Sequence, residues 1–226
     1  MAAERCRDCR AQLPGVASDR SFPLQASLRA SDAQTDDYFG WSIAVSGNDA
    51  IVGAIHENGG PGDPQLYSGA AYVFQRNQDG ASRWGQVQKL MASDPQDYDS
   101  FGISVGISGE FAIVGATNED GGPGDPIQSA GAAYIFRRDQ GGAGNWGEVV
   151  KLTAPDAEME DSFGLSVAIY GDTAIVGAYK EDGGPTGPTI DAGAAYVFEN
   201  IGGFGWVHIK TIRPGARRPE IGSGNQ

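Results

Sequence analysis

The fold is decided by the stretch FGWSIAVSGNDAIVGA, residues 39–54. Apolar and small side chains alternate over Ser42–Ser46, which is the period-2 pattern of a β-strand, and a β-branched run follows over Ala50–Ala54. Gly47-Asn48 separates the two runs. Glycine at the first position of a two-residue loop favours a type II′ turn, whose twist matches that of the flanking strands. The stretch therefore predicts a tight antiparallel hairpin.

The same pattern returns twice further along the chain. Its Phe-Gly pair recurs after 62 residues (101 − 39) and again after 62 (163 − 101), whereas Trp84 recurs as Trp146 and then, after only 60 residues, as Trp206. The repeated dipeptides are Phe39, Gly40, Gly53 and Ala54; Phe101, Gly102, Gly115 and Ala116; and Phe163, Gly164, Gly177 and Ala178. A register kept at this many positions indicates structural repeats.

Each repeat contains two more strand-like runs, Ala70–Phe74 and Trp84–Leu90 in the first copy. Four short strands in a repeat of about 62 residues describe a propeller blade. The prediction is an all-β fold of three four-stranded antiparallel blades, with a leading strand over Leu24–Leu28 that aligns with the end of a fourth strand. The predicted division is a polar tail over 1–21, leading strand and blade 1 over 22–91, blade 2 over 92–153, blade 3 over 154–214, and a polar tail over 215–226.

Side-chain size follows the crowding expected in such blades. Phe39, Tyr72 and Trp84 are predicted to fill the space between stacked blades as core residues. Small residues are predicted to line a face of the inner strands that is crowded near the propeller axis, namely Ser42 and Ala44, Ser104 and Gly106, and Ser166 and Ala168.

Composition excludes several classes of function. The 226 residues include 35 glycines, and the net charge of −13 opposes binding to nucleic-acid phosphates. No apolar run approaches the roughly 20 residues that span a bilayer, and residues 1–21 show no signal peptide.

Cys6 and Cys9 form half of a zinc-type motif, without further ligands nearby in the sequence. The acidity fits either cation attraction or mere solubility.

The Phe-Gly and Gly-Ala pairs, about a dozen residues apart and present in triplicate, resemble FG-GAP repeats, which occur in integrin α-chain propellers and in bacterial surface proteins. The resemblance covers about residues 24–214. It implies a propeller with a role in recognition or adhesion, outside the cell or at its surface. Two features depart from the pattern: the proline after Gly-Ala is absent, and the calcium loop of integrin-type blades is reduced here to a two-residue turn such as Gly47-Asn48. That calcium site therefore cannot be carried over.

Acidic residues concentrate on one face of the predicted blades, which we call the upper face. It consists of the loops between blades and the loops from strand two to strand three. These loops hold ten and eight acids, which together make 18 of the 29 in the chain. Two aspartates recur in register before each of the three Phe-Gly pairs and are predicted to cap turns, with ion ligation as the alternative: Asp32, Asp37, Asp94, Asp99, Asp156 and Asp161.

Clustered carboxylates also offer the oxygens that Ca²⁺ prefers, so Ca²⁺ is the candidate ion, with a solvated acidic loop as the alternative. The candidate ligands lie in the strand-two to strand-three loops: Glu57, Asp63, Glu119, Asp120, Asp125, Glu181 and Asp182.

A catalytic function is not expected, because the acids recur blade by blade and no repeat carries a polar cluster of its own. The sequence favours a non-catalytic recognition module that binds a protein or carbohydrate ligand on its acidic face. The alternatives are an accessory propeller of a secreted hydrolase and a purely structural array. Because known propellers have about four to eight blades, we expect either a piece of a longer propeller or a homo-oligomer that completes the ring.

Overall fold

The computed structural model describes residues 26–214, except for 59–61, 63, 79, 82, 121–125 and 184–189. Apart from one short 3₁₀ turn at Gly202–Phe204, all regular structure in this part of the chain is β. The strands are β1 (Phe39–Ser46), β2 (Asp49–Ala54), β3 (Ala70–Arg76), β4 (Trp84–Leu90), β5 (Ser104–Ser108), β6 (Phe111–Ala116), β7 (Ala132–Arg138), β8 (Trp146–Leu152), β9 (Phe163–Tyr170), β10 (Thr173–Ala178), β11 (Ala194–Asn200) and β12 (Trp206–Ile212).

The strands form three antiparallel sheets of four, each in sequence order: β1–β4 (the first sheet), β5–β8 (the second) and β9–β12 (the third). Ser46 pairs with Asp49, so the connecting loop has two residues. Gly47 has a φ of 60°, and Asn48 is not among the residues with positive φ, which are the signs of a type II′ turn. The predicted hairpin and all-β fold are therefore confirmed.

The hydrophobic core lies between neighbouring sheets. Ile51 and Val73 of the first sheet pack with Phe101, Tyr134 and the rest of a buried cluster of the second sheet. A matching cluster joins the second and third sheets. Phe101 meets the ring of Tyr134 edge-on, with 5.4 Å between ring centroids. The aromatic residues of the repeat thus pack between sheets, as their periodicity predicted.

In the first two sheets, the small residues of the inner strands face the next sheet, while their placement near a propeller axis stays a prediction. Ala44 packs against the cluster between the first and second sheets. The Ser42 hydroxyl donates to the carbonyl oxygen of Gly102 at 2.7 Å, and Ser104 makes the same bond to Gly164. Their smallness therefore serves contact between successive blades.

The leading strand differs from its prediction. Residues 24–25 lie outside the described part of the chain, and residues 26–30 pair with none of the described strands. Leu28 and Ala30 nevertheless pack on the first sheet, beside Tyr72 and Phe74. The tails over 1–21 and 215–226, with Cys6 and Cys9, also lie outside the described residues. Among the residues that are described, no helix has the length and apolarity to cross a membrane.

Candidate functional site

On the upper face, each sheet carries a buried glutamate that is paired with a cation. In the second sheet, Glu119 follows β6 and has 1% of its surface exposed. Lys151, at the end of β8, hydrogen-bonds Glu119 and lies 2.7 Å from Asp94 Oδ2. The Tyr134 hydroxyl donates to Asp94 Oδ1 at 2.8 Å, and the Lys151 ammonium lies 5.8 Å from the centre of the Tyr134 ring. One lysine therefore compensates two carboxylates beside a fully buried tyrosine.

In the first and third sheets, a cation likewise pairs with two carboxylates. In the first sheet, Lys89 Nζ lies 2.5 Å from Glu57 and 2.8 Å from Asp32. Each group contains one aspartate and one glutamate that form ion pairs with the same cation, beside a buried tyrosine. We call these groups the charge clusters: Asp32, Glu57, Tyr72 and Lys89; Asp94, Glu119, Tyr134 and Lys151; and Asp156, Glu181, Tyr196 and Arg213.

The third charge cluster takes its cation from a different position. Tyr196 pairs across the sheet with Thr211, whereas Tyr134 pairs with Lys151 at the corresponding place. The cation is supplied instead by Arg213, which lies just after β12 and hydrogen-bonds both Asp156 and Glu181. The aligned position itself holds threonine, so the cation comes from two residues further along the chain.

A second carboxylate in each inter-blade loop is buried and binds the backbone. Asp37, Asp99 and Asp161 each accept the N–H of the residue three positions earlier, at 2.5, 2.7 and 2.7 Å. These are the local turn contacts expected of Asp37, Asp99 and Asp161. The other three acids assigned to turn capping, Asp32, Asp94 and Asp156, have the ion-pair partners described above.

Burial raises the pKa of Asp99 to about 7, and the nearby charges of Glu119 and Asp94 add to the effect. Burial likewise raises the pKa of Asp161 to about 6, together with the charge of Glu181. The pKa of Asp94 moves the other way: burial raises it, but the hydrogen bonds from Lys151 and Tyr134 outweigh burial, so the net pKa is lowered.

These opposite shifts predict that stability is greatest in mild acid. A carboxyl whose pKa is raised by folding stabilises the fold below its unfolded value of 3.8, and this stabilisation is lost as pH rises through about 6–7. We expect the melting temperature to rise as pH falls from about 8 to 5, by about 2–4 °C for each kcal/mol of linkage, and to fall below about pH 4, as the pH approaches the lowered pKa at which Asp94 loses its charge.

The double variant Asp99→Asn, Asp161→Asn should flatten this rise while keeping the oxygen that accepts each backbone N–H. A melting temperature that still rises between pH 8 and 5 in this variant would assign the pH dependence to other groups.

A row of aromatic side chains lies on the upper face at the boundary between the first and second sheets. Along the row, ring centroids are 6.2 Å apart for Trp41 and Tyr38, 4.4 Å for Tyr38 and His56, 4.3 Å for His56 and Tyr67, and 5.6 Å for Tyr67 and Tyr98. We call these five residues the aromatic row. Trp41, Tyr38 and Tyr98 are each about half exposed.

Hydrogen bonds from backbone N–H groups hold the row in place. The N–H of Tyr98 donates to the carbonyl of Leu66 at 2.7 Å, and the N–H of Tyr67 donates to Asn58 Oδ1 at 3.0 Å. Tyr38, Tyr67 and Tyr98 have φ values of 56°, 54° and 74°. Residues with bulky side chains rarely adopt this left-handed backbone region, so each of the three tyrosines costs conformational free energy.

The other repeats keep the left-handed backbone but not the aromatic rings. The corresponding residues are Ile103 and Leu165 for Trp41, Ser100 and Ser162 for Tyr38, Asn118 and Lys180 for His56, Ser129 and Asp191 for Tyr67, and Asp36 and Glu160 for Tyr98. The row is thus a feature of one boundary only. The positions that the repeats share give no signal for the row, whereas the positions at which they differ do.

The repeat pattern itself matches a known family. The FG-GAP repeat matches residues 22–74, 84–136 and 146–198, which is most of the chain. The chain belongs to the FG-GAP repeat family. No curated protein matches it.

The FG-GAP match is offset by one strand from the sheets. The match over 84–136 begins with β4 of the first sheet and ends within β7 of the second sheet. A single FG-GAP unit therefore spans two neighbouring blades and includes the boundary between them. The first match begins at residue 22, so residues 22–28 align with β4 and β8 of the later repeats.

The predicted metal ligands of the FG-GAP loops are not brought together among the described residues. Glu57, Glu119 and Glu181 turn inward to the charge clusters, whereas Asp63 and Asp125 lie outside the described part. Asp120 and Asp182 accept the backbone N–H groups of Ser129 and Asp191, both within their own loops. In the part of the chain that can be described, no three His, Cys, Asp or Glu side chains are grouped for a metal. Calcium binding stays a prediction.

Proposed function

We propose that this FG-GAP array is a non-catalytic recognition module whose ligand contacts the aromatic row. The observation that carries the proposal is the exposure of this row at a single boundary between sheets. Neither packing nor the backbone explains it, since serine occupies the place of Tyr38 in the other two repeats on the same left-handed backbone. Exposed aromatic groups at positions that the fold leaves free are typical of binding surfaces.

The chemistry around the row favours a basic protein segment as the ligand. Asp36 and Asp97 are exposed beside Tyr38 and Tyr98, and the chain carries a net charge of −13. Cations are attracted both to carboxylates and to aromatic faces. The chain itself makes such contacts elsewhere: Arg138 lies 4.8 Å from the centre of the Trp146 ring. An arginine or lysine side chain of a partner therefore fits the row better than a neutral sugar does.

Binding of a short arginine-rich peptide tests this proposal. We expect the variant Tyr98→Ala to bind the peptide at least about five-fold more weakly than the parent chain, because the exposed ring contributes about 1 kcal/mol of cation–π attraction. The charge of the protein is unchanged, so a purely electrostatic attraction would be unaffected. Isothermal titration calorimetry measures both affinities.

The matched control is Tyr170→Ala, since Tyr170 is 86% exposed but lies on the third sheet, away from the row. Equal affinities for Tyr98→Ala, Tyr170→Ala and the parent chain would refute a role for the row. A neutral β-linked glucose oligosaccharide serves as the second probe; if it alone binds and Tyr98→Ala weakens it, the ligand is a carbohydrate. Titrations in millimolar Ca²⁺ and in EDTA show whether a divalent ion takes part.

Two further parts of the proposal rest on the family. FG-GAP repeats resemble adhesion propellers, so we place the module outside the cell or at its surface. An accessory propeller of a secreted hydrolase and a purely structural array are the competing functions. If the parent chain binds neither the peptide nor the oligosaccharide, the structural array is favoured.

A further inference from the structure

The contact between successive sheets is made twice in the chain with the same backbone groups. At the first contact, the Gly102 carbonyl oxygen lies 2.1 Å from where a Cβ on Gly53 would be, and it accepts the Ser42 hydroxyl at 2.7 Å. Gly69 and Phe101 form a parallel bridge beside it. The second contact repeats these features with Gly115, Gly164, Ser104, Gly131 and Phe163. Only glycine fits such an approach, so this joint is specific.

The apolar part of the joint also repeats. Ile51 of the first sheet and Ile113 of the second are fully buried by the sheet that follows them. On the following sheet, the partners at the first joint are Val105 and Ile107, which are 8% and 7% exposed. At both joints, the trailing face of one sheet therefore fits the leading face of the sheet that follows.

The two outermost faces are halves of the same joint that lack a neighbouring sheet, although Leu28 and Ala30 cover part of the first-sheet face. On the third sheet, Ile175 corresponds to Ile51 and Ile113 but is 42% exposed. On the first sheet, Ile43 and Val45 correspond to Val105 and Ile107 but are 75% and 68% exposed. Their counterparts at the two internal joints are buried. Exposed apolar side chains at such positions are typical of an interface whose partner is not in place.

The backbone groups of the joint are likewise unfilled at both ends. Ser166, Gly177, Ala178 and Gly193 line a cavity of about 560 Å³ on the third sheet, at the place where Phe-Gly docks in the internal joints. A Cβ on Gly177 would meet only the side chain and carbonyl of Ser166. We call this cavity the socket. Gly40, which corresponds to Gly102, has no described atom within 4 Å of its Cβ position.

We infer that a second copy of this chain docks head to tail, with the Phe39-Gly40 backbone of one copy in the socket of the other. The same contact made in both directions gives a closed dimer of six sheets, a number within the range of about four to eight found in propellers. In the dimer, Ile43 and Val45 pack against Ile175 of the partner copy. This inference is independent of the ligand proposed for the aromatic row.

Docking requires a local rearrangement at the N-terminal segment. Leu28 packs on the first sheet, and the family alignment places it where Leu90 lies in the next repeat. Ile212 pairs in the third sheet as Leu90 does in the first, so in the dimer Ile212 of the second copy replaces Leu28. The variant Leu28→Ser should therefore strengthen the association. Because each copy carries a charge of −13, added salt should strengthen it as well.

Sedimentation velocity on the full chain tests the dimer. We expect a species of about 47 kDa, twice the 23.6 kDa chain, at protein concentrations of about 10–100 µM and at moderate salt. Ile43→Asp blocks the first sheet, and Gly177→Ala blocks the socket with a Cβ aimed at the incoming carbonyl. Each should be folded and monomeric. Met159→Asp, an apolar residue 64% exposed on a loop between the second and third sheets, is the control and should dimerise.

Mixing the two blocked variants separates this geometry from others. Ile43→Asp retains a working socket and Gly177→Ala retains a working first sheet, so the mixture should form a heterodimer through one joint. An interface that uses the same patch on both copies would not recover in the mixture and would overturn the proposal. A parent chain that stays monomeric at 100 µM and in added salt, or blocked variants that dimerise as the parent does, would overturn it too.

Discussion

Gly115→Ala will lower the free energy of unfolding by more than about 2 kcal/mol, which for a domain of this size lowers the melting temperature by more than about 4 °C. A Cβ at this position would lie 1.9 Å from the carbonyl oxygen of Gly164 and 2.5 Å from the Ser104 hydroxyl. The serine can rotate, but the carbonyl belongs to the backbone of the next sheet. The third sheet must therefore move away, which opens the cluster between Ile113 and Phe163. Thermal or urea unfolding followed by circular dichroism measures the loss.

The control is the same substitution one repeat later. A Cβ on Gly177 would meet only Ser166, with its hydroxyl at 2.5 Å, and no backbone of another sheet. Rotation of one hydroxyl relieves this contact, so Gly177→Ala should change the stability of the monomer by less than about 0.5 kcal/mol. Both variants must be compared at a concentration where the chain is monomeric. Equal losses would mean that the glycine is required by its own strand, and the account of the joint would fail.

Lys151→Met should cost about 3–5 kcal/mol of stability, the largest effect expected outside the glycines. Glu119 is 1% exposed, and Lys151 is the cation that pairs with it. The substitution keeps the apolar stem of the side chain, so the loss reports the removal of the Lys151 ammonium from the buried carboxylate. The double variant Lys151→Met, Glu119→Gln removes the charge of the glutamate and should recover at least half of the loss.

An exposed ion pair on the same sheet provides the comparison. Arg137 and Glu110 are 2.9 Å apart, but their side chains are 48% and 53% exposed. Solvent screens such a pair, so Arg137→Met should cost less than about 1 kcal/mol. If Lys151→Met costs no more than Arg137→Met in urea unfolding, the charge clusters do not stabilise the fold, and their role on the upper face would need another explanation.

Much of the fold could be predicted because it follows from local periodicity. The alternation over Ser42–Ser46 and the Gly47-Asn48 turn predicted the first hairpin, and Trp84–Leu90 was predicted with the bounds that the structure gives. Strand β1 begins earlier than predicted, at Phe39, because the register shift between Phe39 and Ile43 lets a glycine-containing segment remain paired. Alternation alone cannot indicate such a shift.

The candidate site was harder to predict, because it depends on which loops meet. Glu119 and Asp94 were assigned to different roles, ion ligand and turn cap, yet Lys151 binds both. The lysine lies 32 residues from one and 57 from the other. The number of acids in the upper-face loops indicated that the carboxylates matter. It did not indicate the cations that pair with them, which lie at strand ends.

The sequence by itself determined the repeat, the four-stranded sheet and the turn, since each depends on residues within a few positions of one another and recurs three times. The tertiary structure alone decided the partner of each charge, the aromatic row and the two open faces. These features depend on distances between loops and sheets that are remote in sequence, and such distances are set only when the sheets pack. A carboxylate at a loop position can bind an ion, cap a turn or pair with a lysine, and only the neighbouring chain segment decides which.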